Sequence, residues 1–229
     1  MDAWSNSQPL GFSKTRAAEF MAAVYRWMAF GLGLTGLVAY AVYDSPAARH
    51  AVLGTKLLWV LIIAQLVIVL AFSAILARAS FAVATGMFLL YCALTGATLS
   101  SVLLVYTGAS IASTLFVTGG AFLATSIYGT VTKRDLSGFA SFLFIGLIGV
   151  FLAGLVNIFL QSSGFQFVIS CAGVVVFAGL TAYDTQTIRA MADVGDERLA
   201  LRGALKLYLD FINLFLFLLQ LFGGRRRRD

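Results

Sequence analysis

The 229-residue chain is about 60% apolar and 11% charged, far from the roughly 45–50% apolar and 25% charged composition of soluble globular domains. Its formal charge of +6 does not mark nucleic-acid binding, because the basic residues sit at the edges of apolar runs and form no surface interleaved with exposed aromatics. At about 20 apolar residues per crossing, the length predicts an all-α integral membrane protein of seven transmembrane helices with short loops and no separate soluble domain.

In chain order, residues 1–20 read as a polar tail carrying Asp2, Lys14, Arg16 and Glu19, without the features of a signal peptide. The membrane domain is expected over residues 21–222, and its first span, Met21 to Tyr43, stops at Asp44-Ser45-Pro46. The match of Gly31-x-Gly33-x-x-Gly36 to a dinucleotide fingerprint is accidental, since that pattern has meaning only between a strand and a helix. Small residues there, and at Gly120/Ala124 and Gly149/Ala153, are expected to bring helices close together. The second span, Leu57 to Leu76, closes on Arg78.

No residue from Phe81 to Thr132 is charged, which is too long for one helix, so the stretch divides at Tyr106-Thr107-Gly108-Ala109-Ser110 into spans three and four. Likewise, Leu136 to Tyr183 divides at Gln161-Ser162-Ser163-Gly164 into spans five and six. A charged loop from Arg189 to Arg202 precedes span seven, Ala204 to Phe222, and residues 223–229 form a basic tail with Arg225 to Arg228. Cys92 and Cys171 lie in apolar runs and read as small hydrophobes, and His50 as a solvated loop residue.

Lysine and arginine counts on alternate sides place the N-terminus in the cytoplasm, because only Arg49 and Lys56 then fall in outer loops. Seven crossings put the terminal arginines outside, against the same rule. Two alternatives resolve this: a last helix whose topology is dominated by earlier spans, which is favoured, or a re-entrant segment returning the arginines to the cytoplasm.

An aspartate at the centre of a span costs roughly 2.5–3.5 kcal/mol on insertion scales, so retained acids are candidate functional residues. Asp184, in Thr181-Ala182-Tyr183-Asp184-Thr185-Gln186, and Asp210, in Leu207-Tyr208-Leu209-Asp210-Phe211-Ile212-Asn213, lie on consecutive helices. If they meet, the pair shares a proton and titrates as one system. Asn213, Tyr183 and Tyr208 add hard oxygen donors, which suit calcium better than a transition metal and make Asp184 and Asp210 candidate calcium ligands. The plainer alternative pairs Asp184 with Arg189 and Asp210 with Lys206. Arg78 is a further candidate partner for the acids, or simply a topology anchor.

These residues resemble the transmembrane Bax-inhibitor-motif family, particularly its bacterial members. Leu207-Tyr208-Leu209-Asp210-Phe211-Ile212-Asn213-Leu214-Phe215 looks like the last-helix signature, and Tyr183-Asp184-Thr185-Gln186 like the sixth-helix motif. Lys133-Arg134-Asp135-Leu136-Ser137 and Val156-Asn157-Ile158-Phe159 resemble segments between them. The resemblance implies a central seventh helix wrapped by the first six in two three-helix layers, and a bacterial inner-membrane location. It implies a pH-sensitive calcium leak with Asp184 and Asp210 as sensor and ion pathway, Arg78 as latch, calcium as permeant ion and no tightly bound cofactor. Where relatives carry an acid in the second span, this chain has Gln65.

The expected partners are therefore the lipid bilayer, calcium and protons, with no nucleic acid. A second implication is a non-transporting regulator that binds a membrane protease or another stress-response partner. The chain is read as a non-enzyme: Tyr183-Asp184 supplies half of an intramembrane aspartyl-protease pattern, but Leu207-Tyr208-Leu209 replaces the glycine-rich context of the second acid. Retinal binding is disfavoured because span seven offers only Lys206 at its edge.

Overall fold

Most breaks in apolar sequence become helix ends with a side-chain cap in the computed structural model, which describes residues 10–76, 79–194, 196–224 and 226. The elements are α1 (Leu10–Asp44), α2 (Pro46–Leu53), α3 (Leu57–Leu76), α4 (Phe81–Val105), α5 (Gly108–Val131), α6 (Ser137–Leu160), α7 (Ser163–Ala190) and α8 (Glu197–Phe222). Ser45, Ser80, Thr107 and Ser162 accept backbone N–H groups at the starts of α2, α4, α5 and α7, as short hydroxyl side chains do at helix N-termini. Pro46 enters α2 in its first turn, where its missing N–H costs nothing. Gln161 takes a left-handed conformation (φ 49°) to end α6.

Six helices are individually long and apolar enough to cross a membrane, and α2 with α3, bent by 70°, supplies a seventh crossing if the pair is counted as one. The turns at residues 106–110 and 161–164 fall where the sequence predicts them. Two boundaries differ. The α1 helix is 35 residues long, about 52 Å at 1.5 Å per residue, and so extends well beyond a hydrocarbon core of about 30 Å. It takes in part of the predicted tail, of which Phe20 is buried in the main core and begins the stripe continued by Met21, Val24 and Met28. The α8 helix likewise begins before Ala204, because Asp196 caps it by accepting the Arg198 N–H at 2.9 Å.

The last helix is central. α1, α3 and α4 pack together on one side of α8, while α5, α6 and α7 pack on the other, with α6 outermost against α7. Half of the apolar window of α8 is buried, against 17% for α6. Tyr208, Leu207 and Leu214 of α8 are fully enclosed, whereas Phe159 of α6 is 87% exposed on the face presented to lipid.

Glycine allows the closest approaches, although not all of the predicted positions contribute. A side chain at Gly31 would strike Phe88 of α4, and one at Gly129 would strike the Ala182 backbone of α7. Gly120 and Gly149 instead face open space. Their spacing is right for packing, but they lie on the outer sides of α5 and α6. α8 is one unbroken 26-residue helix, about 39 Å long, so the re-entrant alternative is not adopted. Its end docks beside α1 and the α4–α5 turn: Arg226 N–H donates to Val105 O at 2.9 Å, and Thr107 N–H to Gly224 O at 3.1 Å.

Candidate functional site

Asp184 sits in the last third of α7 and Asp210 near the middle of α8, on the faces where these helices pack. They are only 8% and 5% exposed. Lys206, one turn before Asp210 on α8, reaches across the interface, and its Nζ donates to Asp184 Oδ1 at 2.9 Å. Asp210 lies within the field of both Asp184 and Lys206. Its Oδ2 is buried without a hydrogen-bond partner among the described residues. The cluster therefore contains two carboxylates and one ammonium in a setting where an unmatched charge is costly.

Neither pairing in the plainer sequence reading forms. Lys206 joins the acid on the neighbouring helix rather than Asp210 on its own, and Arg189 donates to Thr130 O at the end of α5. The i, i+4 spacing of Lys206 and Asp210 did signal a shared helix face. What it could not indicate was that Asp184 would occupy the opposing face. Arg78 lies outside the described residues.

The other candidates are dispersed. Tyr208 points towards α1 and α4, with its hydroxyl 2.7 Å from Thr35 Oγ1 and its ring edge-on to Phe88 and Tyr91. Tyr183 lines a polar cleft of about 490 Å³ with Lys133, Arg134 and Gln186. Asn213 donates to Leu209 O at 2.8 Å and borders an apolar cavity of about 260 Å³ between α6, α7 and α8. None of the three contributes a side-chain hydrogen bond to the acids among the described residues.

Sequence reading missed the hydroxyl chain that ties the site to its surroundings. Tyr25 of α1 meets Ser126 of α5 at 2.5 Å, and Ser126 meets Thr185 of α7 at 3.0 Å, one residue from Asp184. Small hydroxyl residues in apolar helices often bond their own backbone, so their type alone did not separate this chain from Thr118 or Thr181, which do so. Gln186 fastens α7 to the α5–α6 loop, accepting from Leu136 N and donating to Arg134 O, both at 2.9 Å.

The donor set bears on calcium. Resident Ca²⁺ takes six to eight oxygens, whereas the described residues contain no group of three or more His, Cys, Asp or Glu side chains able to hold a metal. An ammonium also occupies one of the two carboxylates. The arrangement is a buried ion cluster rather than a permanent calcium cage.

Comparison with known proteins gives a consistent result over the whole chain. The family model for "Inhibitor of apoptosis-promoting Bax1" matches residues 17–227. The Escherichia coli K12 protein "Inner membrane protein YbhL" is 47% identical, covering 99% of this chain and 100% of that protein. A Borreliella burgdorferi protein is 43% identical over 92% of this chain and 94% of its own length. A Deinococcus radiodurans protein is 44% identical over 90% of each.

Proposed function

The chain belongs to the Bax inhibitor family of integral membrane proteins, and from that premise and its buried ion cluster we propose that it is a pH-sensitive calcium leak whose gate is the Asp184–Lys206–Asp210 group. The observation carrying this reading is the 2.9 Å Lys206–Asp184 bond across the α7–α8 interface, with the enclosed Asp210 carboxylate beside it. With both acids ionised and Lys206 charged, the group carries one net negative charge, and the ammonium clamps α8 to α7. A proton on Asp184 removes the charge-assisted bond and weakens the clamp. Lys206 is then free to turn towards Asp210, and α8 can shift between its two flanking layers.

Moving such an equilibrium from 1:99 to 99:1 requires about 5.5 kcal/mol of differential interaction. One unit of pKa difference between the states supplies about 1.4 kcal/mol. The gate is therefore graded, and calcium flux is expected to change by about tenfold per unit of that difference. The lysine and arginine bias supports a cytoplasmic N-terminus, and the inner-membrane designation of the E. coli relative supports location in a bacterial inner membrane.

The test is calcium flux into proteoliposomes from acidic to alkaline buffer, comparing wild type with Asp184→Asn, Asp210→Asn and the double variant. Protein-dependent flux that loses its pH response in the double variant is the expected result. An unchanged pH response in folded double variant would reject the gate, and no flux from folded wild type would reject the leak.

A further inference from the structure

The groove between α1, α4 and α5 has features that neither the ion cluster nor close helix packing explains. It has a volume of about 590 Å³ and is almost wholly apolar, with Leu32, Gly36, Tyr40, Leu115, Phe211 and Phe215 in its lining. That volume falls within the range of roughly 300–1,000 Å³ typical of small-molecule sites. Gly33 and Gly36 both line it, and a Cβ added at either would meet no atom within 4 Å. Gly31, by contrast, is packed against Phe88 and Cys92. Glycine within a helix costs roughly 0.5–1 kcal/mol relative to alanine. At positions 33 and 36, what it leaves in return is space.

One end of the groove is chemically distinct. Tyr40 lies one turn before Tyr43, whose ring is 5.5 Å from the Arg226 guanidinium carbon, and whose hydroxyl accepts from Arg226 Nη1 at 2.9 Å. The Arg226 backbone is anchored on Val105 of α4, close to Val102 and Leu103 in the groove lining. Among the described residues the ion pairs are Arg198–Asp196 and Lys206–Asp184, so Arg226 forms no contact ion pair with any of them. An exposed cation is thus fixed where the helices end, beside an apolar slot leading into the membrane.

We propose that this groove is a binding site for one anionic glycerophospholipid, with an acyl chain lying over Gly33 and Gly36 and the headgroup phosphate paired with Arg226. A free anion would use the arginine but leave the slot unfilled, and a neutral lipid would fill the slot without using the charge. The lipid would also contact Phe211 and Phe215 of α8, immediately beyond Asp210, and Thr35, which holds Tyr208. The proposal does not depend on the calcium leak.

The test is lipid retention by the full-length protein, purified in mild detergent after exposure to equal phosphatidylglycerol and phosphatidylcholine and weighed intact by native mass spectrometry. Wild type should retain one phosphatidylglycerol with about fivefold preference, the value expected for one arginine near an anionic headgroup. Arg226→Gln should lower that preference severalfold, to the level that Arg225, Arg227 and Arg228 supply as general surface charge. Gly36→Leu should fill the slot and reduce retention of both lipids, with a thermal midpoint no lower than that of wild type. Gly86→Leu, whose added Cβ also meets open space but outside the groove, should behave as wild type. Equal retention of both lipids by wild type, or full retention by folded Gly36→Leu, would overturn the proposal. So would a disulfide-linked dimer of Tyr40→Cys in membranes, which would identify a second copy as the occupant.

Discussion

α6 and α8 are both uninterrupted membrane-length helices, but they use hydrophobicity in opposite ways. α6 carries no charged residue and turns Phe142, Phe144, Phe151 and Phe159 outward. α8 carries Lys206 and Asp210 among its apolar residues, yet is the more buried of the two. In water the more apolar helix would be expected inside. In a bilayer lipid solvates apolar side chains as well as the protein interior does, so the interior is where polar groups find partners and helices pack through shape and hydrogen bonds.

The sharpest way to break this comparison is to truncate one aromatic on each helix. Tyr208→Ala removes an enclosed ring and its hydroxyl bond to Thr35, and should cost about 3–5 kcal/mol, as large aromatic truncations in cores do. Phe159→Ala removes a ring of nearly the same size from the lipid-facing surface and should stay within about 0.5 kcal/mol of wild type. Reversible unfolding in mixed micelles would measure both, and equal losses would show that α8 is not the packed centre.

A smaller effect is expected at the ion cluster. Lys206→Met leaves Asp184 buried without its ammonium and should destabilise by about 1–3 kcal/mol. Adding Asp184→Asn should recover much of that loss, because the unmatched charge is then gone. Additive losses in the same unfolding assay would mean that the two residues act independently.

A smaller loss than that at the ion cluster is expected at the start of α8, outside the membrane. Hydrogen bonds from the Arg198 side chain and backbone hold the Asp196 carboxyl below the usual carboxylate range. A group depressed on folding contributes stability above its unfolded pKa and loses it as pH falls through the folded one. Asp196→Ala should therefore cost about 1 kcal/mol at neutral pH, the usual size of a lost N-cap. The difference from wild type should shrink below about pH 4. A penalty that persists unchanged in strong acid would show that the ionised carboxylate is not what caps the helix.

Much of this architecture was legible because it depends on local chemistry. The 161–164 turn announces itself through Gln161-Ser162-Ser163-Gly164, where a left-handed residue ends one helix and a serine caps the next. The turn at Thr107-Gly108 shares only the second device: Tyr106 ends α4 in an extended conformation and the threonine hydroxyl caps α5. The start of α1 was less legible, since residues before Met21 read as polar tail by average composition. That Phe20 joins the buried stripe of α1 is visible only in the packed structure. The outward direction of Gly120 and Gly149 was equally hidden, because spacing fixes that two small residues share a face but not which way the face turns.

By itself the sequence determined that the chain needs lipid as solvent, where its helices break, and that Asp184 and Asp210 are costly enough to require partners. Those are consequences of residue type and order along one strand of chain. Only the tertiary structure decided that Lys206 serves Asp184 rather than its own-helix neighbour Asp210, that Tyr208 turns away towards Thr35, and that Arg226 closes the Tyr43 end of an open groove. Each of these depends on the rotation of one helix against another, and that rotation is set by packing over the whole bundle.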